Sequence, residues 1–168
     1  MPETDRALAL LFADIADAFG LSRPAGQCFA AIWRAAQPPC ADDLVAGLGL
    51  ARSNVSTALK DLRGAGLVSV ARTPGDRKEY FTAPVDPWEL LRLLAAHRQR
   101  SLILPLLDRL MQAEAVTPDS RLAALHDTLS TASAAMAGLA GLDAVGFAKR
   151  IGALADPSEK PKKKKKKR

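Results

Sequence analysis

Apolar residues fall three or four positions apart over most of this chain, and the interruptions divide it into helices. Leu8, Leu11, Phe12, Ile15 and Phe19 set one face of a first helix from Asp5 to Phe19, which stops near Gly20. Ser22 then reads as an N-cap with Pro24 in the first turn, opening a helix whose inward stripe is Ala25, Phe29, Ile32, Trp33 and Ala36. Pro38 and Pro39 end it, and Trp33, an aromatic on an apolar stripe, is assigned to packing. Leu44, Val45 and Leu48 make a short amphipathic helix, followed by the corner Gly47-Leu48-Gly49-Leu50 and a second helix over 52–63.

On that second helix, steps of about 100° per residue gather Val55, Ala58, Leu59 and Leu62 on one side. Ser53, Thr57 and Lys60 lie opposite, flanked by Asn54 and Ser56. The period then changes. Gly64 and Gly66 can end the helix with a left-handed residue, and residues 67–72 have the β-branched content of a strand. Thr73-Pro74-Gly75-Asp76 suits a type II turn, because proline presets its φ and glycine accepts a positive one; Arg77 to Thr82 form the return strand.

After the hairpin, Asp86 is placed to cap and Pro87 fits the first position of a long helix through Leu90, Leu91, Leu94, Ala95, Leu102, Ile103, Leu106, Leu107 and Leu110, which Pro105 should kink. Thr117-Pro118-Asp119-Ser120 start another helix, where Leu122, Leu125, Leu129, Ala132, Met136 and Leu139 form a heptad-like seam able to pack within the chain or against a second copy. Gly138 and Gly141 loosen the chain before a last helix from about Asp143 to Leu154.

An exposed face of Ser, Thr, Asn and Lys is ordinary for a surface helix. It also suits a helix pressed into a DNA major groove, where short hydroxyls and amides reach base edges without bulk holding the backbone away. The hairpin favours the second reading: Arg72, Arg77 and Lys78 cluster around its turn, where long cations straddle a phosphate backbone or enter a narrow minor groove. The candidate DNA-binding residues are therefore Arg52, Ser53, Asn54, Ser56, Thr57, Lys60, Arg72, Arg77 and Lys78.

Four stretches together resemble the MarR-like winged-helix regulators, and within them the GbsR branch: Leu21-Ser22-Arg23-Pro24-Ala25-Gly26, Gly49-Leu50-Ala51-Arg52-Ser53-Asn54-Val55-Ser56, Gly66-Leu67-Val68, and Pro74-Gly75-Asp76-Arg77-Lys78-Glu79-Tyr80-Phe81 with Trp88 after it. The resemblance spans roughly Asp5 to Met111. It implies a mainly α fold with a small β-hairpin wing, a winged helix-turn-helix over 1–84 whose helix 5–20 is shared with the dimer interface, and C-terminal dimerisation helices over 85–155; composition, with Pro157 and a lysine run that cannot form a core, makes 156–168 a disordered lysine-rich tail. The implied function is that of a homodimeric bacterial transcription regulator, a repressor. It reads a near-palindromic site on double-stranded DNA with helix 52–63 and wing 67–82, and answers to a small-molecule effector of unread identity. Ala51 departs from the pattern, which usually has a capping serine there; a lost cap costs ~1 kcal/mol. Either Ser53 caps a later start, or packing of Val55 and Leu59 holds the first turn.

Charge sharpens this picture only after it is located. The net +6 lies in residues 159–168, where seven Lys and one Arg face one Glu for +7, so the remaining chain stands at −1. Between Ala51 and Thr82, Arg52, Lys60, Arg63, Arg72, Arg77 and Lys78 oppose Asp61, Asp76 and Glu79, a local +3. The tail reads as a nonspecific nucleic-acid contact, an expression remnant or a solubility feature. The cluster His97-Arg98-Gln99-Arg100 with Arg92 reads as a solvated helix face ahead of a phosphate contact.

Other classes fare worse. No apolar run approaches the ~20 residues of a membrane span, and the acidic start Met1-Pro2-Glu3-Thr4-Asp5 is unlike a signal peptide, so a cytoplasmic, nucleoid-associated protein without membrane partner is expected. Cys28 and Cys40 suggest neither disulfide framework nor metal site, and incidental buried thiols are favoured over redox sensors. No phosphate loop and no trio of nucleophile, base and orienter is apparent, so no catalytic residue or cofactor is assigned. A winged-helix module used for protein contacts is the alternative to a DNA reader.

Overall fold

The computed structural model describes residues 3–72, 74–117 and 119–155. The lysine-rich tail expected at 156–168 lies outside the described residues, as does Thr73 at the hairpin turn. The architecture is mainly helical with one small antiparallel sheet, the winged helix-turn-helix arrangement that the periodicities predict.

Helices α1 (Glu3–Ala18) and α2 (Arg23–Arg34) pack together at close range. Ala9, Phe12, Ala13 and Ala16 form the buried line of α1. Leu11, expected in the core, is 54% exposed, because the small alanines set the contact face and rotate the leucine outward. Ser22 caps α2 as foreseen, its Oγ accepting from the Ala25 N–H at 3.3 Å. Gly26 lets the two backbones meet: a Cβ there would stand 2.1 Å from the Phe12 carbonyl oxygen. Phe12 stacks on Phe29 and Trp33 at centroid distances of 5.3 and 5.7 Å, so Trp33 is a packing residue. The helix ends at Arg34, before the proline pair, which leaves Ala36 exposed instead of on the inward stripe.

Helices α3 (Ala41–Leu48) and α4 (Arg52–Ala65) form the helix-turn-helix, with Gly49 at φ +65° making the corner. Helix α4 begins at Arg52 with Ala51 as an N-cap that makes no side-chain hydrogen bond; the buried Val55 and Leu59 hold the start of the helix. Of the two glycines that could end α4, Gly66 does so at φ +78°, while Gly64 stays helical. Leu67 and Val68 then dive into the core, which shortens strand β1 to Ser69–Ala71. It pairs with β2 (Tyr80–Thr82) in the register Ser69↔Thr82, Val70↔Phe81 and Ala71↔Tyr80. The Phe81 N–H donates to the Pro39 carbonyl at 2.9 Å, tying the wing to the segment before α3.

Asp86 caps α5 (Pro87–Arg98) through the Trp88 N–H at 2.9 Å. Where a kink was expected at Pro105, a π-helical turn, Gln99–Ile103, joins α5 to α6 (Leu104–Val116). Proline cannot donate to the Ser101 carbonyl and its ring crowds that group, so the wider turn, with Leu104 N–H donating to the Gln99 carbonyl, relieves both problems just ahead of it. Helix α7 (Ser120–Ala140) folds back along this arm, and α8 (Ala144–Ala155) packs on α5 through Phe147 and Trp88. The α7 seam differs from the leucine pattern: Leu125 is 47% exposed and Ala132 is exposed, whereas Ser133 is buried, its hydroxyl accepting from the Gln99 amide at 3.2 Å. Gly138, expected to loosen the chain, lies inside α7, and Gly141 follows its end.

Gly26→Ala should lower stability by ~2 kcal/mol or more, since α1 and α2 must separate to admit one methyl group. A denaturant melt with unchanged slope and a lower midpoint checks it.

Candidate nucleic-acid interface

The sequence places small polar side chains on the side of α4 that packing leaves free. Val55, Ala58, Leu59, Leu62 and Ala65 are buried beneath it, and Ser53, Asn54, Ser56, Thr57 and Lys60 are all exposed above. No side chain is spent on capping, so nothing on this face is tied to the helix's own backbone. Between α3, α4 and the wing runs a groove of about 630 Å³, lined by Arg52, Ser56, Lys60, Arg63 and Glu79 over a floor of Val45, Leu59 and Phe81.

The wing is braced from within. Gly75 adopts φ +85° in the turn. Asp76 accepts from the Lys78 N–H at 2.9 Å and from the Tyr80 hydroxyl at 2.6 Å, which fixes the return of the chain. Tyr80 first and Lys78 second hold the Asp76 carboxyl below its ordinary pKa, while the same bond pushes the Tyr80 hydroxyl up. Arg77 and Lys78 project from this braced tip, both exposed.

Not every predicted cation is free. Arg52 is ion-paired with Asp42 at the start of α3. Arg72 is paired with Glu79 at 2.6 Å, and the same carboxylate reaches Arg63 at 3.4 Å. Sequence reasoning missed Asp42, Arg63 and Glu79 as parts of this surface. The sequence held no clear signal for Glu79, since a turn over 73–76 sets Arg72 opposite Arg77, whereas the observed ladder, ending at Ala71↔Tyr80, brings Arg72 beside Glu79.

The other sequence candidates are occupied elsewhere. Arg92 donates to Glu89 and to the Ala140 carbonyl, Gln99 to Ser133, and Arg100 to the Ala65 carbonyl at 3.3 Å, so this cluster holds the arm together. Burial lowers the His97 pKa, with Arg100 adding to it. Cys28 and Cys40 are buried and free, and burial raises the Cys28 thiol to about 11, which keeps it protonated. Among the described residues no three His, Cys, Asp or Glu side chains gather as a metal site, and no helix is long and apolar enough to cross a membrane.

Fold and surface together define a winged helix-turn-helix protein. Residues 35–70, spanning α3, α4 and the entry to β1, match the family model described as bacterial regulatory protein, arsR family. A solved transcriptional regulator superimposes with a TM-score of 0.67 at 18% identity, over 82% of this chain and 96% of that one. A MarR-family transcriptional regulator from Rhodococcus sp. RHA1 gives 0.40 at 19% identity over 76% and 86%, and a transcriptional regulator from Thermotoga maritima gives 0.41 at 16% over 78% and 87%. No curated protein matches the chain. The helix-turn-helix match supports a DNA-binding regulator, and the likeness to the first of these structures shows the shared fold.

Asp76→Asn should remove part of the acid sensitivity of the wing. A carboxyl with a depressed folded pKa contributes stability above its unfolded value near 3.8, and loses it as pH falls through the lower folded value. Protection factors of the Lys78 and Tyr80 amides, each exchange rate taken relative to its intrinsic rate at the same pH from pH 6 downward, should therefore fall below the ordinary carboxylate range in the parent, and be lower throughout and less dependent on pH in the variant.

Proposed function

We propose that the protein is a homodimeric transcriptional regulator, a repressor, that lays α4 in the major groove of a near-palindromic duplex site and sets its wing on the neighbouring backbone. The observation that carries this is the free face of α4: small hydroxyl and amide side chains, held from beneath by a fully apolar side and bordered by a cationic groove. Ser53, Asn54, Ser56 and Thr57 are the base readers, since groups this short reach base edges only when the helix itself enters the groove. Lys60, Arg77 and Lys78 meet phosphates; Arg52 joins them on exchanging Asp42 for a phosphate, and Arg72 stands beside them in its pair with Glu79.

The arm supports a second copy. Residues 1–84 form the reading domain and 85–155 the dimerisation region, to which α1 adds a face with Leu10 and Leu11 exposed. Helix α6 has no buried residue within one chain, and Leu104, Leu106 and Met111 stand exposed along it. Two reading heads multiply discrimination, because one helix covers only a few base pairs. The motifs around Pro74-Gly75-Asp76-Arg77 support a MarR-like assignment of the GbsR type, and with it a small-molecule effector that alters the spacing of the two α4 helices. The paired state of Arg52, Arg63 and Arg72 favours the second reading, a winged helix for protein contacts, to the extent that these cations are already neutralised.

Selection from a random duplex pool decides between them, since a protein-contact module enriches no sequence. On the selected site Thr57→Ala should lose ~1 to 3 kcal/mol of affinity while melting as the parent does. A Thr57→Ala variant that binds the selected and the scrambled DNA each as tightly as the parent does would sink the assignment of the reading face. Sedimentation at micromolar concentration should give a dimer, and removal of Leu104 and Met111 side chains by alanine should shift it toward monomer.

A further inference from the structure

The hairpin ladder ends with Ala71 paired to Tyr80, and the next residues toward the turn, Arg72 and Glu79, are joined by an ion pair. The Glu79 carboxylate accepts from Arg72 Nη2 at 2.6 Å through one oxygen and from Arg63 Nη1 at 3.4 Å through the other. Arg72 belongs to the wing and Arg63 to the last turn of the recognition helix, so a single carboxylate joins two cations that approach from different elements. The Glu79 side chain is about one-third exposed and lies on the wall of the groove that Arg52, Ser56 and Lys60 also line.

A phosphate contact adds affinity to every sequence alike and carries no sequence information. Two guanidiniums beside the reading helix would therefore raise binding to arbitrary DNA. A carboxylate placed between them opposes this twice, by neutralising the pair and by repelling phosphate itself. We infer that Glu79 is a specificity-determining residue that withholds Arg63 and Arg72 from the DNA backbone and so restrains non-specific affinity. This rests on the DNA-binding reading above. The hydroxyl and amide face of α4 then supplies a larger share of total binding energy, and long cations do not hold the protein in wrong registers.

The test is binding of a random-sequence duplex by the full-length chain across a salt series, read by fluorescence anisotropy for the parent, Glu79→Gln, Arg72→Gln and the double variant. All four carry the same lysine-rich tail, so differences between them isolate the wing. Glu79→Gln should tighten binding several-fold at low salt and steepen the dependence of log affinity on log salt by ~0.9 to 1.8, one increment for each freed arginine. Arg72→Gln alone should leave the parent slope unchanged, and when combined with Glu79→Gln it should take back ~0.9. A Glu79→Gln slope equal to or shallower than the parent's, weaker binding at every salt concentration, or a flattened slope in Arg72→Gln alone overturns the inference while DNA binding stands. A parent that binds no duplex at all overturns the DNA-binding reading and this inference with it.

Discussion

A helix that offers one whole face to a partner has to be held by the other face alone. In α4 that task falls to Val55, Ala58, Leu59, Leu62 and Ala65, all buried against α2 and α3. Burying side chains of this kind is worth ~1.5 to 3 kcal/mol for each of the larger ones, more than the ~1 kcal/mol that a capping hydroxyl at position 51 would add. The missing cap is therefore tolerable. The same dependence makes α2 indispensable, because it presents Cys28, Phe29 and Ile32 to the core while Gly26 lets α1 close over its back.

Electrostatics around this helix are more restrained than a count of charges suggests. Of the cations between Ala51 and Thr82, Arg52, Arg63 and Arg72 each have a carboxylate partner, and these exposed pairs contribute little to stability. Their effect lies in orientation and field. Asp42 draws Arg52 toward α3, Glu79 gathers Arg63 and Arg72, and Asp76 is occupied by Tyr80 and Lys78 in bracing the turn. Lys60, Arg77 and Lys78 are left to project.

The C-terminal arm meets the recognition helix at one end. Arg100 donates to the Ala65 carbonyl in the last turn of α4, and His97, buried enough to lower its pKa, sits against Gly20 and faces Asp61. These polar contacts tie the α5–α6 arm to the last turn of α4. Beyond this junction burial thins: α6 has no fully buried residue, with Leu107, Leu110 and Glu114 half-buried where it meets α7.

Helical spacing, the glycine corner, the polar outer face of α4 and the proline-glycine turn were all legible along the chain, because each is a local pattern acting within a few residues. The helix-turn-helix followed from these with boundaries close to those observed, whereas the wing strands, read as 67–72 and 77–82, pair only over Ser69–Ala71 and Tyr80–Thr82. Three things waited for the tertiary structure. Which residues of α1 and α7 face inward depended on neighbours: close packing turned Leu11 out, and the Gln99 partner brought Ser133 in where Leu125 was expected. How the helix accommodates Pro105 depended on the π turn just ahead of it. Which arginines are free depended on carboxylates between seven and sixteen residues away in the chain. Periodicity decides what a residue can bury, since that is set by the geometry of its own element; only the packing of elements decides what it meets.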